Sequence, residues 1–455
     1  VPNLTESLVA LERVVAWWPL LLVAAEALAL LTIPSVLLQR RGQPLAALAW
    51  VLGLIAVPVG GVLAWWAVGR SHLDRKRRRR RVAHDEFASS RPRDDGPQPA
   101  GESLLLPLNE LSLRSCDGVF PTVPGNRLLL LLDGDQTYRA LERVVGAARC
   151  HLHFLFYSWA ADEVGARFRD LLAERARDGV EVRVLLDALG SASATGRFMD
   201  PLRRSGARVE PFMPTRFLRR SLTVNFRNHR KIVVADGRVG YTGGLNIGAE
   251  HLHDWRDLGL LAEGPVVAHL QEVFADDWHF ATGEALTAET YFEPGPLPGG
   301  ASVIPGDLPS APCAILNDGP DLPFALIHDA SFIAITRARE RVWVATPYLI
   351  PTPPIQAALR TAVARGVDVR LLVPRRSDQP LTRLAGRSYY PQLLAGGVRI
   401  FEFLPAILHE KLWVLDRDLA LVGSANLDIR SFRLNFETTC VIHGREVCDQ
   451  LARLF

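Results

Sequence analysis

Two long apolar stretches open the chain, and beyond residue 128 the pattern changes to short apolar runs alternating with amphipathic ones. Val14 to Leu38 carries no charge apart from Glu26, and Pro44 to Gly69 carries none. At about 1.5 Å of rise per residue, each can cross a hydrocarbon layer of roughly 30 Å. The polar segment Gln39-Arg40-Arg41-Gly42-Gln43 between them predicts a transmembrane helical hairpin over residues 1–69. Trp17 and Trp18 open the first stretch and Trp65 and Trp66 close the second, so a hairpin sets both pairs at one membrane face. Glu26 costs about 3 kcal/mol at mid-membrane on insertion scales, and the sequence leaves its role open.

Arg70 and the unbroken run Arg75-Lys76-Arg77-Arg78-Arg79-Arg80-Arg81 come next. Positive-inside bias places this run in the cytoplasm, outnumbering Arg40 and Arg41 in the opposite loop, and with two spans the amino terminus lies there too. Glu6 and Glu12 occupy the region that should be basic in a cleaved signal peptide and argue against one. The expected location is the cell inner (plasma) membrane, with the rest of the chain cytoplasmic. The run is a stop-transfer signal; a second reading adds attraction to anionic headgroups, about 1 kcal/mol per basic residue. Residues 70–127 make a basic juxtamembrane segment and a Pro/Gly/Ser-rich linker, with one short helix near Leu104 to Leu113.

From Leu128 the chain reads as strands alternating with helices, twice over. Cys150 to Trp159 predicts a strand, Arg167 to Arg177 a helix, Gly179 its stop and Val180 to Asp187 a second strand. Arg341 to Leu349, Ile355 to Arg365, Gly366 and Val367 to Val373 repeat the plan, with Gly-Val-Glu-Val-Arg answered by Gly-Val-Asp-Val-Arg. The fold class is therefore α/β, a mostly parallel sheet covered on both faces. A first half at 128–292, a linker at 293–312 and a second half at 313–455 are expected.

Composition narrows this further. A net charge of +3 over 455 residues is too small for a dedicated nucleic-acid binder. The five cysteines, Cys116, Cys150, Cys313, Cys440 and Cys448, have no metal-ligand spacing and read as reduced cytosolic thiols. Of 52 cationic residues only Lys76, Lys231 and Lys411 are lysine. A position that keeps lysine in so arginine-rich a chain needs a compact ammonium rather than a planar guanidinium.

Two of those lysines fall in a duplicated array. His229, Lys231, Asp236, Gly243, Gly244 and Asn246 are matched by His409, Lys411, Asp416, Gly423, Ser424 and Asn426. Both sets follow H-x-K-x4-D-x6-G-[GS]-x-N, and a carboxylate stands 28 residues beyond each histidine, Asp257 and Glu437. On a strand, His and Lys of H-x-K share one face while the residue between turns away. Two copies about a pseudo-twofold axis gather two imidazoles, two ammoniums and two amides around one phosphodiester. One histidine attacks phosphorus, giving a phospho-histidine; the other protonates the leaving alcohol and deprotonates the incoming one. Lysines and asparagines hold the non-bridging oxygens, glycine in the Gly-Gly or Gly-Ser pair lets backbone approach the phosphate closely, and Gly244 and Ser424 join Asn246 and Asn426 as expected substrate-binding residues. Asp257 and Glu437 orient the rings. Asp236 and Asp416, turn residues, support the catalytic set. No metal or cofactor is required. His251, His253, His269, His279 and His328 read as packing or surface residues; so do His151 and His153, or these two lie near a lipid entrance.

The paired motifs resemble the phospholipase D superfamily. His229-Arg230-Lys231, Thr242 to Gly248, Trp255-Arg256-Asp257, Thr346 to Pro351 and Gly423 to Ser431 are similar to bacterial cardiolipin synthases, as is the amino-terminal helix pair. The resemblance implies phosphatidyl transfer between two phosphatidylglycerol molecules on an anionic bilayer, with His229 as nucleophile and His409 as acid/base. The near-identity of the motifs does not by itself assign that order. A hydrolase of the same type, or a transferase using another headgroup alcohol, shares the chemistry. A nuclease is disfavoured by the spans and by the near-neutral catalytic region, and a non-enzymatic scaffold by two intact catalytic sets. A homo-oligomer is left open. The family usually continues through a further helical stretch where this chain stops at Phe455, and the chain begins with Val1. Truncation or an unusual start codon would account for these, and a tail that closes the site would leave this chain less active.

Overall fold

The structure, a computed structural model, describes residues 4–40, 44–69, 82, 118–214, 226–252, 254–295, 302, 304, 309–322 and 324–455. The arginine run, the short helix expected near residues 104–113, and His253 lie outside them. The chain forms two compact units, the amino-terminal helices and the catalytic-motif region.

In the first unit Leu4–Gln39 is one helix, and its Pro19–Gln39 portion is long and apolar enough to cross a membrane. The second apolar stretch, expected as one span, is broken. Pro44–Ala56 is helical, Val57 leaves the helical region (φ −138°, ψ 74°), and Pro58–Ala64 starts afresh before a π-turn at Trp65–Gly69. The cause is local: a residue preceding proline is pushed out of helical geometry by the ring. Ala29, Val36, Ala47, Leu54, Val62 and Trp65 are buried together, and Trp65 Nε1 donates to Ser35 Oγ at 3.3 Å. Leu31 and Leu45, by contrast, are 77% and 81% exposed, so the outer surface of this unit is greasy.

The second unit is built on β1 (Val123–Leu131), β2 (His151–Phe156), β3 (Glu181–Asp187), β4 (Arg208–Phe212), β5 (Arg227–Asn228), β6 (Lys231–Ala235), β7 (Val239–Gly243), β8 (Trp255–Arg256) and β9 (Gly259–Glu263). The motif-bearing remainder adds β10 (Ser310–Asp318), β11 (Arg341–Ala345), β12 (Asp368–Pro374), β13 (Arg399–Phe403), β14 (Ile407–Leu408), β15 (Leu412–Leu415), β16 (Leu419–Gly423) and β17 (Asn435–His443). β1 and β10 each begin inside stretches expected to be linker. One sheet runs β13-β12-β11-β15-β16-β17-β10-β1-β9-β7-β6-β2-β3-β4, and β5 pairs with β17 beside it. Read inward from either end, three parallel strands give way to antiparallel ones.

The expectation of a mostly parallel sheet is therefore corrected. Along that strand order only the outer strands are parallel, where the helices Glu163–Arg177 and Pro353–Ala364 cross between them. The inner strands are hairpins, β6 to β7 and β15 to β16, because tight turns suffice for antiparallel pairing. Gly179 and Gly366 end those helices with φ of 92° and 88°, a left-handed geometry that costs glycine nothing. Two apolar cores result, one around Phe154, Phe156, Trp159 and Phe168, the other around Leu359, Leu371, Trp413 and Leu421.

Candidate active site

The site lies where the hairpin strands begin, and two very short ladders assemble it. β5 pairs in parallel with the start of β17, and His229 N donates to Phe436 O at 2.9 Å. β14 pairs in parallel with β8, and His409 N donates to Arg256 O at 2.7 Å. Each histidine is thereby held beside a strand of the other half. The consequence is a crosswise pairing: His229 Nδ1 meets Glu437 Oε2 at 3.0 Å, and His409 Nδ1 meets Asp257 Oδ2 at 2.7 Å. The histidines stand just outside the sheet strands rather than within them; Lys231 is the first residue of β6. Arg230 turns away, as the alternation expects, and its Nη1 donates to both carboxylate oxygens of buried Asp277 at 2.8 and 2.7 Å.

The carboxylates are fixed differently in the two halves. Glu437 accepts also from Ser424 Oγ and, at 3.0 Å, from Asn435 Nδ2. Asp257 accepts from Leu258 N at 2.8 Å and presses against Gly244, where a Cβ would stand 2.1 Å from Oδ1. The shorter acid goes with glycine and the longer acid with serine.

Lys231 Nζ donates to His229 O at 2.7 Å and lies 5.4 Å from the centre of the Tyr157 ring. Lys411 Nζ lies 2.8 Å from His409 Nδ1, 3.3 Å from Nε2 and 4.0 Å from Asp257 Oδ2. Asn246 accepts from Ser158 N through its amide oxygen at 3.2 Å, leaving the NH2 to donate. Asn426 donates to Asp428 instead, and its own Oδ1 is buried without a partner among the described residues.

The electrostatics join both motifs in one field. Burial lowers the pKa of His229; Glu437 opposes this, and Lys231 and Lys411 add to it. Burial, then Lys411, then Lys231 and His229 hold His409 well below the ordinary imidazole value. Burial brings Lys231 down to about 7 against the pull of Glu437, and lowers Lys411 as well. Burial raises Asp257, whereas in Glu437 the same effect is outweighed by His229 and Lys231. With both imidazoles neutral, the two ammoniums balance the two carboxylates, so a bound phosphodiester adds one negative charge and draws a proton onto the imidazoles.

Asp236 and Asp416, expected in a supporting role beside the catalytic residues, stand outside the cluster. The Asp236 carboxylate accepts from the backbone N–H of Arg149, Cys150 and His151, each at 2.8 Å. Asp416 does the same for Arg339, Glu340 and Arg341. Both sit in left-handed backbone, φ 53° and 47°, after the far end of the hairpin strand. They tie the hairpin turn to the start of the neighbouring strand. His151 and His153 are buried there as well, His153 stacked on Phe274 and bonded to Gln271.

Aromatic walls of the site escaped the sequence reading. Tyr157 packs edge-on against His229 with ring centres 5.0 Å apart, and Trp255 against His409 at 4.7 Å. Tyr348 lies 6.4 Å from His409 and donates to Asp378 at 2.7 Å. For Tyr157 and Tyr348 the available signal was their position just past β2 and β11, the end where open α/β sheets bind ligands.

A family model described as "Cardiolipin synthase, PLD-like domain" matches residues 141–278 and 332–455. The chain belongs to the cardiolipin synthase family. Relatives named cardiolipin synthase bear this out along the chain. One from Geobacillus kaustophilus is 35% identical over 431 residues, covering 92% of this chain and 83% of that protein. Cardiolipin synthase A of Pseudomonas aeruginosa is 37% identical over 437 residues, 93% and 86% of the two chains. Among solved structures, phosphatidylserine synthase of Haemophilus influenzae covers 76% of this chain and 88% of its own, with a TM-score of 0.53 at 16% identity. That likeness concerns the fold alone.

Proposed function

We propose that this cardiolipin synthase family member, a phospholipid phosphatidyltransferase, joins two phosphatidylglycerol molecules into cardiolipin and glycerol through a phospho-histidine. The crosswise carboxylate–histidine pairs carry the reading, since they set two oriented imidazoles in one charged cluster. With Nδ1 engaged by Glu437, His229 attacks phosphorus through Nε2, and the bond to the glycerol oxygen breaks. His409 gives that oxygen its proton. The pKa of His409, depressed in the free enzyme, rises once the phosphodiester offsets the two lysines, so the ring takes up its proton as substrate binds. His409 then takes the proton from the hydroxyl of a second phosphatidylglycerol, whose oxygen attacks phosphorus as the N–P bond breaks. Lys231, Lys411 and the Asn246 NH2 hold the non-bridging oxygens. Two observations favour His229 as nucleophile: its side chain keeps 12% exposure against 6% for His409, and Lys411 crowds both His409 nitrogens.

The matching strand orders of the two halves support a pseudo-twofold arrangement of the motifs. The packed amino-terminal helices, with exposed leucines, support a hairpin that anchors the enzyme in the plasma membrane with the catalytic unit on the cytoplasmic side. Anchoring keeps the acceptor concentrated beside the phospho-histidine, where water would otherwise yield phosphatidic acid. The test is to incubate the purified chain with phosphatidylglycerol vesicles and resolve the products. Cardiolipin with stoichiometric glycerol is expected; phosphatidic acid alone would make the enzyme a hydrolase.

A further inference from the structure

Beside the catalytic mouth the surface combines exposed leucine with clustered arginine. Leu381 and Leu384, three residues apart on the helix Pro380–Arg387 and so on one face, are 82% and 58% exposed. Leu404 is 64% exposed, and the bond from Arg375 N to Phe403 O keeps it next to the segment leading into that helix. Single exposed leucines are ordinary; three around one basic cavity are not. That cavity, of about 470 Å³, is lined by Arg375, Arg376, Ser377, Pro380, Arg383 and Arg387. Arg375 and Arg387 share one carboxylate, Glu402, while Arg376 has no ion pair among the described residues. The other acid of the segment, Asp378, accepts from Tyr348 and keeps its charge, so two carboxylates stand against four guanidiniums. Positive charge is thus left over.

The same segment reaches the site. Asp378 accepts from Tyr348, whose ring lies 6.4 Å from His409, and its charge is felt at both His409 and Lys411.

We propose that this face rests on an anionic bilayer. Leu381, Leu384 and Leu404 enter the acyl boundary, and Arg375, Arg376 and Arg383 take lipid phosphates, as in amphipathic helices that lie in the interface. The inference rests on the reading that the chain works on bilayer lipid. It adds how lipid reaches the imidazoles: from the membrane surface along Tyr348, without crossing water.

The test uses the full chain and two substrate forms: phosphatidylglycerol in reconstituted bilayers, and short-chain phosphatidylglycerol dispersed as monomers. The ratio of the two rates cancels any loss of folded enzyme. Leu381→Ser with Leu384→Ser, and separately Arg376→Gln with Arg383→Gln, lower that ratio by about tenfold, the scale of a lost interfacial contact. An unchanged ratio overturns the proposal. In parallel, an environment-sensitive probe is attached to Leu384→Cys in a Cys116→Ser, Cys150→Ser background. It shifts to the blue and is quenched by nitroxide lipid in bilayers containing phosphatidylglycerol. Emission that stays water-like there, or that follows protein concentration without lipid because a second copy covers the face, rules the proposal out. Probe entry into lipid by a protein that makes no cardiolipin would uphold the docking and refute the transferase reading instead.

Discussion

Gly244→Ser tests whether the crosswise orientation of His409 matters to the chemistry. Serine is what the second half carries at the matching position, so the change looks mild on the sequence. The structure says otherwise. A Cβ at Gly244 would lie 2.1 Å from Asp257 Oδ1 and 2.8 Å from its Cγ, and real contacts of this kind do not fall below 3.0 Å. The carboxylate must retreat by about 1 Å, which stretches the 2.7 Å bond to His409 Nδ1 beyond hydrogen-bonding range. Losing a charge-assisted bond costs about 1.5–3 kcal/mol, or roughly 10- to 100-fold in rate. Misplacing a catalytic group by about 1 Å gives a similar penalty. The assay is kcat for cardiolipin formation, with circular dichroism to confirm folding. Adding Asp257→Glu, which recreates the serine–glutamate combination of Ser424 and Glu437, is expected to restore much of the loss. Near-normal turnover in Gly244→Ser alone, or a double variant worse than either single one, would refute the reasoning.

Three further outcomes are expected. Lys231→Arg or Lys411→Arg lowers kcat by about 100-fold despite the retained charge, because a guanidinium cannot occupy these buried sites without displacing His229 or His409; steady-state rates on vesicles decide it. In the free enzyme, kcat/KM falls on the acid side only below the ordinary imidazole value, where His229 becomes protonated, and on the alkaline side as the proton that His409 must carry grows scarce and, near its lowered pKa of about 7, Lys231 loses its own. A profile flat through both limbs would show that none of these groups titrates in the reaction. Asp236→Ala or Asp416→Ala costs about 2–3 kcal/mol of stability by freeing three backbone donors, seen as a lower Tm, while kcat per folded molecule is unchanged; Asn at either position recovers part of the Tm.

The repeat, the outer strands and the motif members were legible because each rests on local pattern. Val180 to Asp187 and Val367 to Val373 are valine- and leucine-rich segments of strand length after a glycine stop, and the strands Glu181–Asp187 and Asp368–Pro374 fall within a residue of them. The direction of the inner strands was not legible, since an apolar run such as Ile232-Val233-Val234 has the same composition in a parallel or an antiparallel neighbour. Nor was the partner of each carboxylate: a spacing of 28 residues tells that Asp257 and Glu437 belong to the array, but only the ladders β5–β17 and β8–β14 decide which ring each one meets. Asp236 and Asp416 were legible as turn residues in support of the catalytic set, but the three backbone donors that each ties down lie at the start of a strand distant in sequence, which a motif does not reveal. The second apolar stretch was long enough on paper, yet Pro58 acts on the residue before it, and length alone does not register that.

The exchange of carboxylates between halves has a bearing on ancestry. A polypeptide with one motif has no acid in reach of its own imidazole by this geometry, so it gains a working centre only by pairing with a twin. Fusing the twins into one gene removes the need for identity, and glycine beside aspartate in one lobe, serine beside glutamate in the other, is the kind of drift that fusion permits.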